Sequence, residues 1–346
     1  MRALDFFCGG GGLTRGLLDA GISVIAGIDS DESCRATYEK NNRPANFVLE
    51  DVAHTSPASI WKLLGSRATS DLLIAGCAPC QPFSAHRKNH GKGLNASPNE
   101  PEATLLSALG RIVEEITPGQ VLVENVPGLA NVTGFSTYRR FVRMLLSNGY
   151  RVAQAVLDAK RYGVPQTRRR LVLLAMRRGE AKLPSPSFGP GLRPYLTVRD
   201  AIAHYPPIKA GERHPLIRNH EAAALSELNL ARLRRTPADG GDRRSWPMEL
   251  RLECHAADYD GHTDVYGRMA WDRPAPALTG KCHSISNGRY GHPSQDRAIS
   301  LREAASLQTF SDSYSFFGFR THIAQQIGNA VPVKFAEALG KELMGL

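Results

Sequence analysis

Asp5-Phe6-Phe7-Cys8-Gly9-Gly10-Gly11-Gly12-Leu13 is the stretch on which the reading of this chain turns. Ala3 to Phe7 has the composition of a buried strand, and Leu13 to Asp19 has the spacing of an amphipathic helix. Between them lie four consecutive glycines. A strand that turns through glycines straight into a helix presents backbone without Cβ atoms at the strand's carboxyl end, where a ligand can approach closely. Gly10, Gly12 and Gly16 satisfy a loose dinucleotide pattern, but Thr14 and Arg15 break the stricter G-x-G-x-x-G spacing. Glycines that merely make a tight turn would look the same at this point.

Working outward, the alternation continues. Val24 to Ile28 reads as strand and Glu32 to Glu39 as helix; Phe47 to Leu49 and Leu72 to Ala75 are strands. Leu105 to Ile116 is a helix, Val121 to Val123 a strand, Tyr138 to Leu146 a helix, and Val152 to Leu157 and Leu171 to Met176 are strands. Short β-rich runs separated by helical ones predict an α/β fold with a doubly wound, mainly parallel sheet, whose ligands sit beyond the strands' carboxyl ends. After Arg178, Pro184, Pro186, Pro190 and Pro194 mark a linker. The pattern is then irregular to about Gly288, with one expected helix, His220 to Arg234, and a basic run of Arg232, Arg234, Arg235, Arg243 and Arg244. Helical spacing returns at Leu301 to Leu307 and Val333 to Leu343.

The chain has 346 residues, 42% of them hydrophobic, enough for two cores. Its net charge of +10 favours a polyanionic partner without proving one. No run approaches the roughly 18 apolar residues of a membrane span, so a cytoplasmic protein is expected. Six irregularly spaced cysteines are too few for a disulfide framework, which leaves thiols free to react.

Four strand ends carry candidate chemistry. Asp29 ends the second strand, placed for ribose hydroxyls, and Asp51 follows the third, placed for an adenine amino group. The fourth strand runs into Gly76-Cys77-Ala78-Pro79-Cys80-Gln81-Pro82-Phe83-Ser84. Cys77 and Cys80 alone are compatible with a zinc half-site, a redox couple or inert thiols; no second pair completes a metal site, and no metal is expected. Prolines flanking Cys80 stiffen the loop and suit a presented nucleophile. The fifth strand delivers Glu124 in Val121-Leu122-Val123-Glu124-Asn125-Val126.

With these residues together, the chain resembles the bacterial cytosine-C5 DNA methyltransferases. The glycine loop, Pro79-Cys80-Gln81, Glu124-Asn125-Val126 and Gln166-Thr167-Arg168-Arg169-Arg170 match the family's cofactor, nucleophile, acid and arginine motifs in order. Arg302-Glu303-Ala304-Ala305, Leu307-Gln308-Thr309-Phe310 and Gln326-Ile327-Gly328-Asn329-Ala330-Val331-Pro332 match its closing motifs. The resemblance implies a Rossmann-like S-adenosylmethionine-dependent methyltransferase sheet with a smaller, irregular target-recognition domain. Cys80 would add to C6 of cytosine, Glu124 would bind N3 and the exocyclic amine, and Arg170 with Arg168 would support O2. Phe7, Gly9, Gly11, Gly12, Asp29, Asp51, Val52, Pro79, Leu105 and Asn329 would hold S-adenosylmethionine. Asp29 is one methylene shorter than the family's usual glutamate, and Ala330 replaces a frequent serine.

Because Asn329 belongs to a cofactor motif, the tail should return to the first domain. The expected domains are therefore 1–185 with 315–346, and 190–300. The partner implied is double-stranded DNA, bound by a monomer, with a separately acting restriction endonuclease as a further partner. A flipped base implies a closing loop, which makes Gln81, Ser84, Arg87 and Lys88 candidate DNA contacts, with Arg243, Arg244, Thr279, Arg289 and Arg268 in the recognition stretch. Methylation of tRNA, a nicotinamide-dependent oxidoreductase and a non-catalytic relative are the alternatives. The Cys-Phe-Thr tripeptide associated with the tRNA relatives is absent, and both nucleophile and acid are present.

Overall fold

The computed structural model describes residues 1–78, 101–131, 136–253 and 264–346. These form two compact units: Met1–Ala159, Arg169–Pro186 and Val333–Leu346 in unit 1, and Lys160–Arg168 with Ser187–Pro332 in unit 2. Residues 160–168 and 315–332, expected in the first domain, cluster with unit 2.

Unit 1 is built on a seven-stranded sheet of order β3-β2-β1-β4-β5-β7-β6. The strands are β1 (Arg2–Phe6), β2 (Ser23–Asp29), β3 (Asn46–Leu49), β4 (Leu72–Gly76), β5 (Gln120–Asn125), β6 (Arg151–Asp158) and β7 (Arg169–Met176). The first five are mutually parallel, whereas β7 runs antiparallel to both β5 and β6. Successive strands move outward from β1 in one direction through β2 and β3, and in the other from β4, so the order reverses beside β1 and opens a crevice at its carboxyl end.

Every residue of β4 is buried, as a parallel strand covered on both faces requires. Leu4, Phe6, Ile28, Ile74 and Val123 from the strands meet Leu109, Ile112, Phe141 and Leu145 in one continuous core. The last two pairs come from α4 (Pro101–Ile116) and α6 (Ser136–Ser147), with the short α5 (Gly128–Asn131) between them in the chain. A helix missed by periodicity, α3 (Pro57–Leu64), is capped by Ser56. The helix expected over 32–39 is divided into a 3-10 turn, Glu32–Cys34, and α2 (Arg35–Asn41).

The glycine loop leads into α1 (Gly12–Asp19), and the chain ends in α11 (Val333–Met344) packed against it. A Cβ on Gly16 would lie 2.4 Å from the Cβ of Ala336, and one on Gly340 2.7 Å from that of Ala20. Gly16 is therefore a helix-contact residue; its place in the loose dinucleotide pattern was a coincidence of spacing.

Unit 2 has little regular structure: α7 (Val198–Ile202), α8 (Glu227–Arg235), α9 (Leu301–Leu307) and α10 (Arg320–Asn329), with isolated β-bridges. The helix expected over 220–234 is confined to α8. His220 is fully buried, with Nδ1 2.9 Å from Ser300 Oγ and Nε2 2.8 Å from the Pro206 carbonyl, contacts that an exposed amphipathic helix would not supply.

Buried charges hold this unit together. Arg297 donates two 2.7 Å bonds to the two oxygens of Glu303, and Glu303 also closes a capping box with Ser300 at the start of α9. Beside them His292 is buried, and its Nδ1 accepts from the amides of Ser294 and Gln295. Burial first, and then the positive charges of Arg297 and Arg268, push its pKa down to about 4 against the pull of Glu303. The unfolded chain takes up this proton near pH 6.5 while the folded chain refuses it until about 4, so stability falls as pH drops through that window. The expected loss is on the order of 3 kcal/mol by pH 4. Urea titrations at pH 7.5, 5.5 and 4.5 would measure it, and a flat profile would refute it.

Candidate active site

The glycine loop takes the backbone into the left-handed region at Gly9 (φ +50°) and Gly11 (φ +88°), which a side chain disfavours. A Cβ on Gly9 would meet nothing within 4 Å, so the backbone at this position is uncovered by neighbours. The Gly9 amide donates to Asp29 Oδ2 (2.8 Å) and the Asp31 amide to Oδ1 (2.9 Å), which fixes the carboxylate at the end of β2. Burial raises the pKa of Asp29 against these amide donors. Asp51 accepts from the Ala53 amide (2.9 Å) and lies 3.0 Å from His54 Nδ1, on a half-exposed turn whose Val52 is buried. Leu105 of α4 is half-buried.

Asp5 was quoted in the motif but given no role by sequence reasoning. It is fully buried; Thr14 Oγ1 donates to its Oδ2 at 2.6 Å, and Tyr38 Oη lies 3.0 Å from the same hydroxyl. Its Oδ1 has no hydrogen-bond partner among the described residues. Burial, with the charge of Asp29 adding to it, raises the pKa to about 7. An under-satisfied carboxylate beneath a glycine loop is a feature that a cationic ligand would compensate.

Glu124 is 2% exposed near the carboxyl end of β5. Sheet register decides its neighbours. Gly76 of β4 pairs with Val123, so Cys77 stands one step further along, opposite Glu124. Glu124 pairs with Val172 of antiparallel β7, which makes Arg170 its diagonal neighbour on the same face. Cys77 Sγ donates to Glu124 Oε2 at 2.8 Å, and Arg170 Nε lies 3.2 Å from Oε1. Oε1 is in ion-pair range but accepts no well-directed hydrogen bond among the described residues. Asn125 Nδ2, next along, donates to the Ala78 carbonyl at 3.0 Å and tethers the chain where it leaves β4.

A buried acid, a guanidinium and a bare glycine loop thus share one edge of a single sheet. The whole chain, residues 1–345, matches the family model described as C-5 cytosine-specific DNA methylase. The chain belongs to that family. It is 39% identical to the type II methylase M.HgiDII of Herpetosiphon aurantiacus, over 98% of this chain and 94% of that one. It is 31% identical to the type II methyltransferase M1.HphI of Haemophilus parahaemolyticus, over 99% and 86%. In fold it is similar to a protein assigned as a DNA modification methyltransferase of an Escherichia coli prophage, with TM-score 0.76, 21% identity, and 100% and 99% of the two chains covered. Entamoeba histolytica EhMeth follows at TM-score 0.66 and 16% identity, with 100% and 98% covered. The chain is a DNA cytosine-5 methyltransferase of the bacterial type II kind, and its activity requires a methyl donor.

Among the residues expected to serve this methyltransferase, Pro79, Cys80, Gln81, Ser84, Arg87 and Lys88 lie outside the described residues. Burial raises the pKa of Cys8, Cys34 and Cys282, the last to about 12, which suits none of the three to nucleophilic work. Arg168, expected at the pyrimidine, is 3% exposed, and its guanidinium donates to the carbonyls of Leu278, Gly328 and Ala330 within unit 2. Its two terminal nitrogens are thereby engaged with backbone. Asn329 ends α10 in unit 2, between two of these carbonyls.

The candidate DNA arginines divide in the same way. Arg268 is buried and bonded to the carbonyls of Thr236, Leu233 and His292, which removes it from the candidates. Arg289 reaches the carbonyls of Gly240 and Gly241 and the carboxylate of Asp264. Arg243 is buried, whereas the Arg244 side chain is 80% exposed and paired with Asp242. Thr279 Oγ1 accepts from the Lys281 amide and neighbours Tyr290 Oη at 3.4 Å.

The sequence offered a signal for Cys77, three residues before Cys80, and for Asn125, which follows Glu124 in its motif, but nothing in it said which residues would face which. Asp5 showed itself only as an acid in an apolar strand.

Proposed function

We propose that this methyltransferase places a methyl group on C5 of a cytosine flipped out of a specific duplex DNA sequence, using S-adenosylmethionine and a covalent Cys80 adduct. The observation that carries this reading is the buried Glu124 held between Cys77 and Arg170 at the sheet edge that also bears the glycine loop. The recognition site would belong to a restriction-modification or solitary methylation system, with any endonuclease acting separately and the methyltransferase working as a cytoplasmic monomer.

The residues present fit the proposed donor. A cationic ligand would offset the Oδ1 of Asp5, which has no hydrogen-bond partner among the described residues, the open space at Gly9 leaves room for a ligand, and Asp29 is pre-set by the Gly9 amide. Phe7, Asp51, Val52, Pro79, Leu105 and Asn329 complete the expected set. Bound S-adenosylmethionine supplies an electrophilic methyl on a positively charged sulfur.

The chain's own groups do the rest. C5 of cytosine is a poor nucleophile, and addition of the Cys80 thiolate at C6 makes it enamine-like. Negative charge then grows toward N3 and O2. Glu124 donates a proton at N3 and accepts from the exocyclic amine, and Arg170 supports O2, each already oriented before the base arrives. Once C5 has taken up the methyl group, a solvent base removes the C5 proton, the C6–S bond breaks to release the Cys80 thiolate, and N3 returns its proton to Glu124.

The test is transfer of tritium from labelled donor to nucleic acid, with duplex DNA and tRNA compared. Saturable labelling of DNA at cytosine, with bisulfite sequencing returning one short motif, is expected; no labelling, or preferential labelling of tRNA, would reject the reading. Calorimetry showing a nicotinamide cofactor bound in preference to S-adenosylmethionine would reject it as well.

A further inference from the structure

We infer that Cys77 is a positioning residue for the acid Glu124, an inference that rests on the function proposed above. Glu124 is buried, and of its two oxygens Oε1 faces Arg170 while Oε2 accepts from the Cys77 thiol at 2.8 Å. A glutamate side chain has three rotatable bonds, and its carboxyl plane must match the N3 and amine edge of a cytosine. Contacts from both neighbouring strands set that plane.

The arrangement follows from register. Cys77 occupies the place opposite Glu124 in the parallel β4–β5 pair, so its side chain is delivered to the carboxyl by the sheet itself. The chain just beyond is tethered by Asn125, which bonds the Ala78 carbonyl, so the thiol is held between the end of β4 and that anchor. A thiol is a weak donor. It orients the carboxyl without supplying a second full positive charge beside the one on Arg170.

Cys77 also stands three residues before Cys80, which invites the reading of a redox pair. Its thiol, turned toward Glu124, gives it a different task.

The experiment compares wild type, Cys77→Ala and Cys77→Ser in single-turnover methyl transfer, with donor KM, donor affinity by calorimetry and melting temperature measured on each. Removal of one orienting hydrogen bond should lower the single-turnover rate about 3- to 10-fold, with donor KM unchanged, and serine should recover most of the loss. In a Glu124→Gln background Cys77→Ala should cost nothing further, because the group it orients has lost its function. Full single-turnover rate in Cys77→Ala, a serine variant as slow as the alanine one, or a loss that adds undiminished to Glu124→Gln would each overturn the inference while leaving the function standing. If Cys77→Ala melts early, the serine variant carries the test, and a loss beyond tenfold in it overturns the inference. A wild-type protein that transfers no methyl group would remove both.

Discussion

Glu124→Gln is expected to slow methyl transfer to DNA about 10²- to 10⁴-fold, the range over which a positioned proton donor contributes. The size of the effect follows from burial. Glutamine keeps the volume and can still meet Arg170 through its amide oxygen, but it has no acidic proton for N3, and at 2% exposure no water stands ready to replace it. The amide nitrogen would also meet either the Cys77 sulfur or the cytosine amine, a donor facing a donor in the second case. Donor binding should change little, because Asp5, Asp29 and the glycine loop lie on other strands of the sheet. Single-turnover assays, with calorimetry of donor binding and a thermal melt as controls, would measure this. A variant that retains more than a tenth of wild-type rate would show that Glu124 is not the acid. Cys80→Ser should abolish transfer more completely still, since it removes the nucleophile itself.

The second large effect concerns stability. Glu303→Gln leaves Arg297, which is 0% exposed, without its bidentate partner. It also weakens the bond from the Ser300 amide that closes the α9 capping box. Removing one member of a buried pair costs about 3–5 kcal/mol, which predicts a fall in melting temperature of roughly 6–20 °C. Arg297→Met combined with Glu303→Leu should recover more than half of that loss, because the penalty lies in the stranded charge and not in the absence of a pair. Arg297 has further donors on the Ile208 and Ala298 carbonyls, and those carbonyls left bare set the limit on recovery. A single variant that melts with wild type would show that unit 2 does not depend on this pair. The same network underlies the acid sensitivity expected of His292, whose Nε2 lies 3.7 Å from Glu303 Oε1.

The arginine motif shows how far a motif can be read from the sequence. Arg168 and Arg170 are two residues apart in one run, and sequence reasoning gave them the same task. Arg170 lies in β7 and is the diagonal neighbour of Glu124, whereas Arg168 belongs to unit 2, where its two terminal nitrogens donate to three carbonyls. Arg268 and Arg289 tell the same story in the recognition stretch. An arginine's five donors look identical in a sequence whether they meet a base, a phosphate or buried backbone. Two residues of the closing motifs are engaged in the same way: Arg302 bonds the carbonyls of Arg218, Ser311 and Tyr314, and Gln308 those of Ile327 and Ala330. Helix spacing failed where burial came from packing and not from periodicity, as at His220.

What the sequence by itself determined was the alternation of strands and helices, the bare glycine loop after β1, and the acids at the ends of β2 and β5. Those are local properties, set by composition, spacing and the absence of Cβ atoms, and they survive in any fold that keeps the order. Only the tertiary structure decided that β7 enters antiparallel beside β5, and with it which arginine meets Glu124, which thiol shares its carboxyl, and which carboxylate is left with an unpaired oxygen. Partners across a sheet are chosen by strand order and register, which depend on the packing of residues distant in the chain, and no spacing along the sequence encodes them.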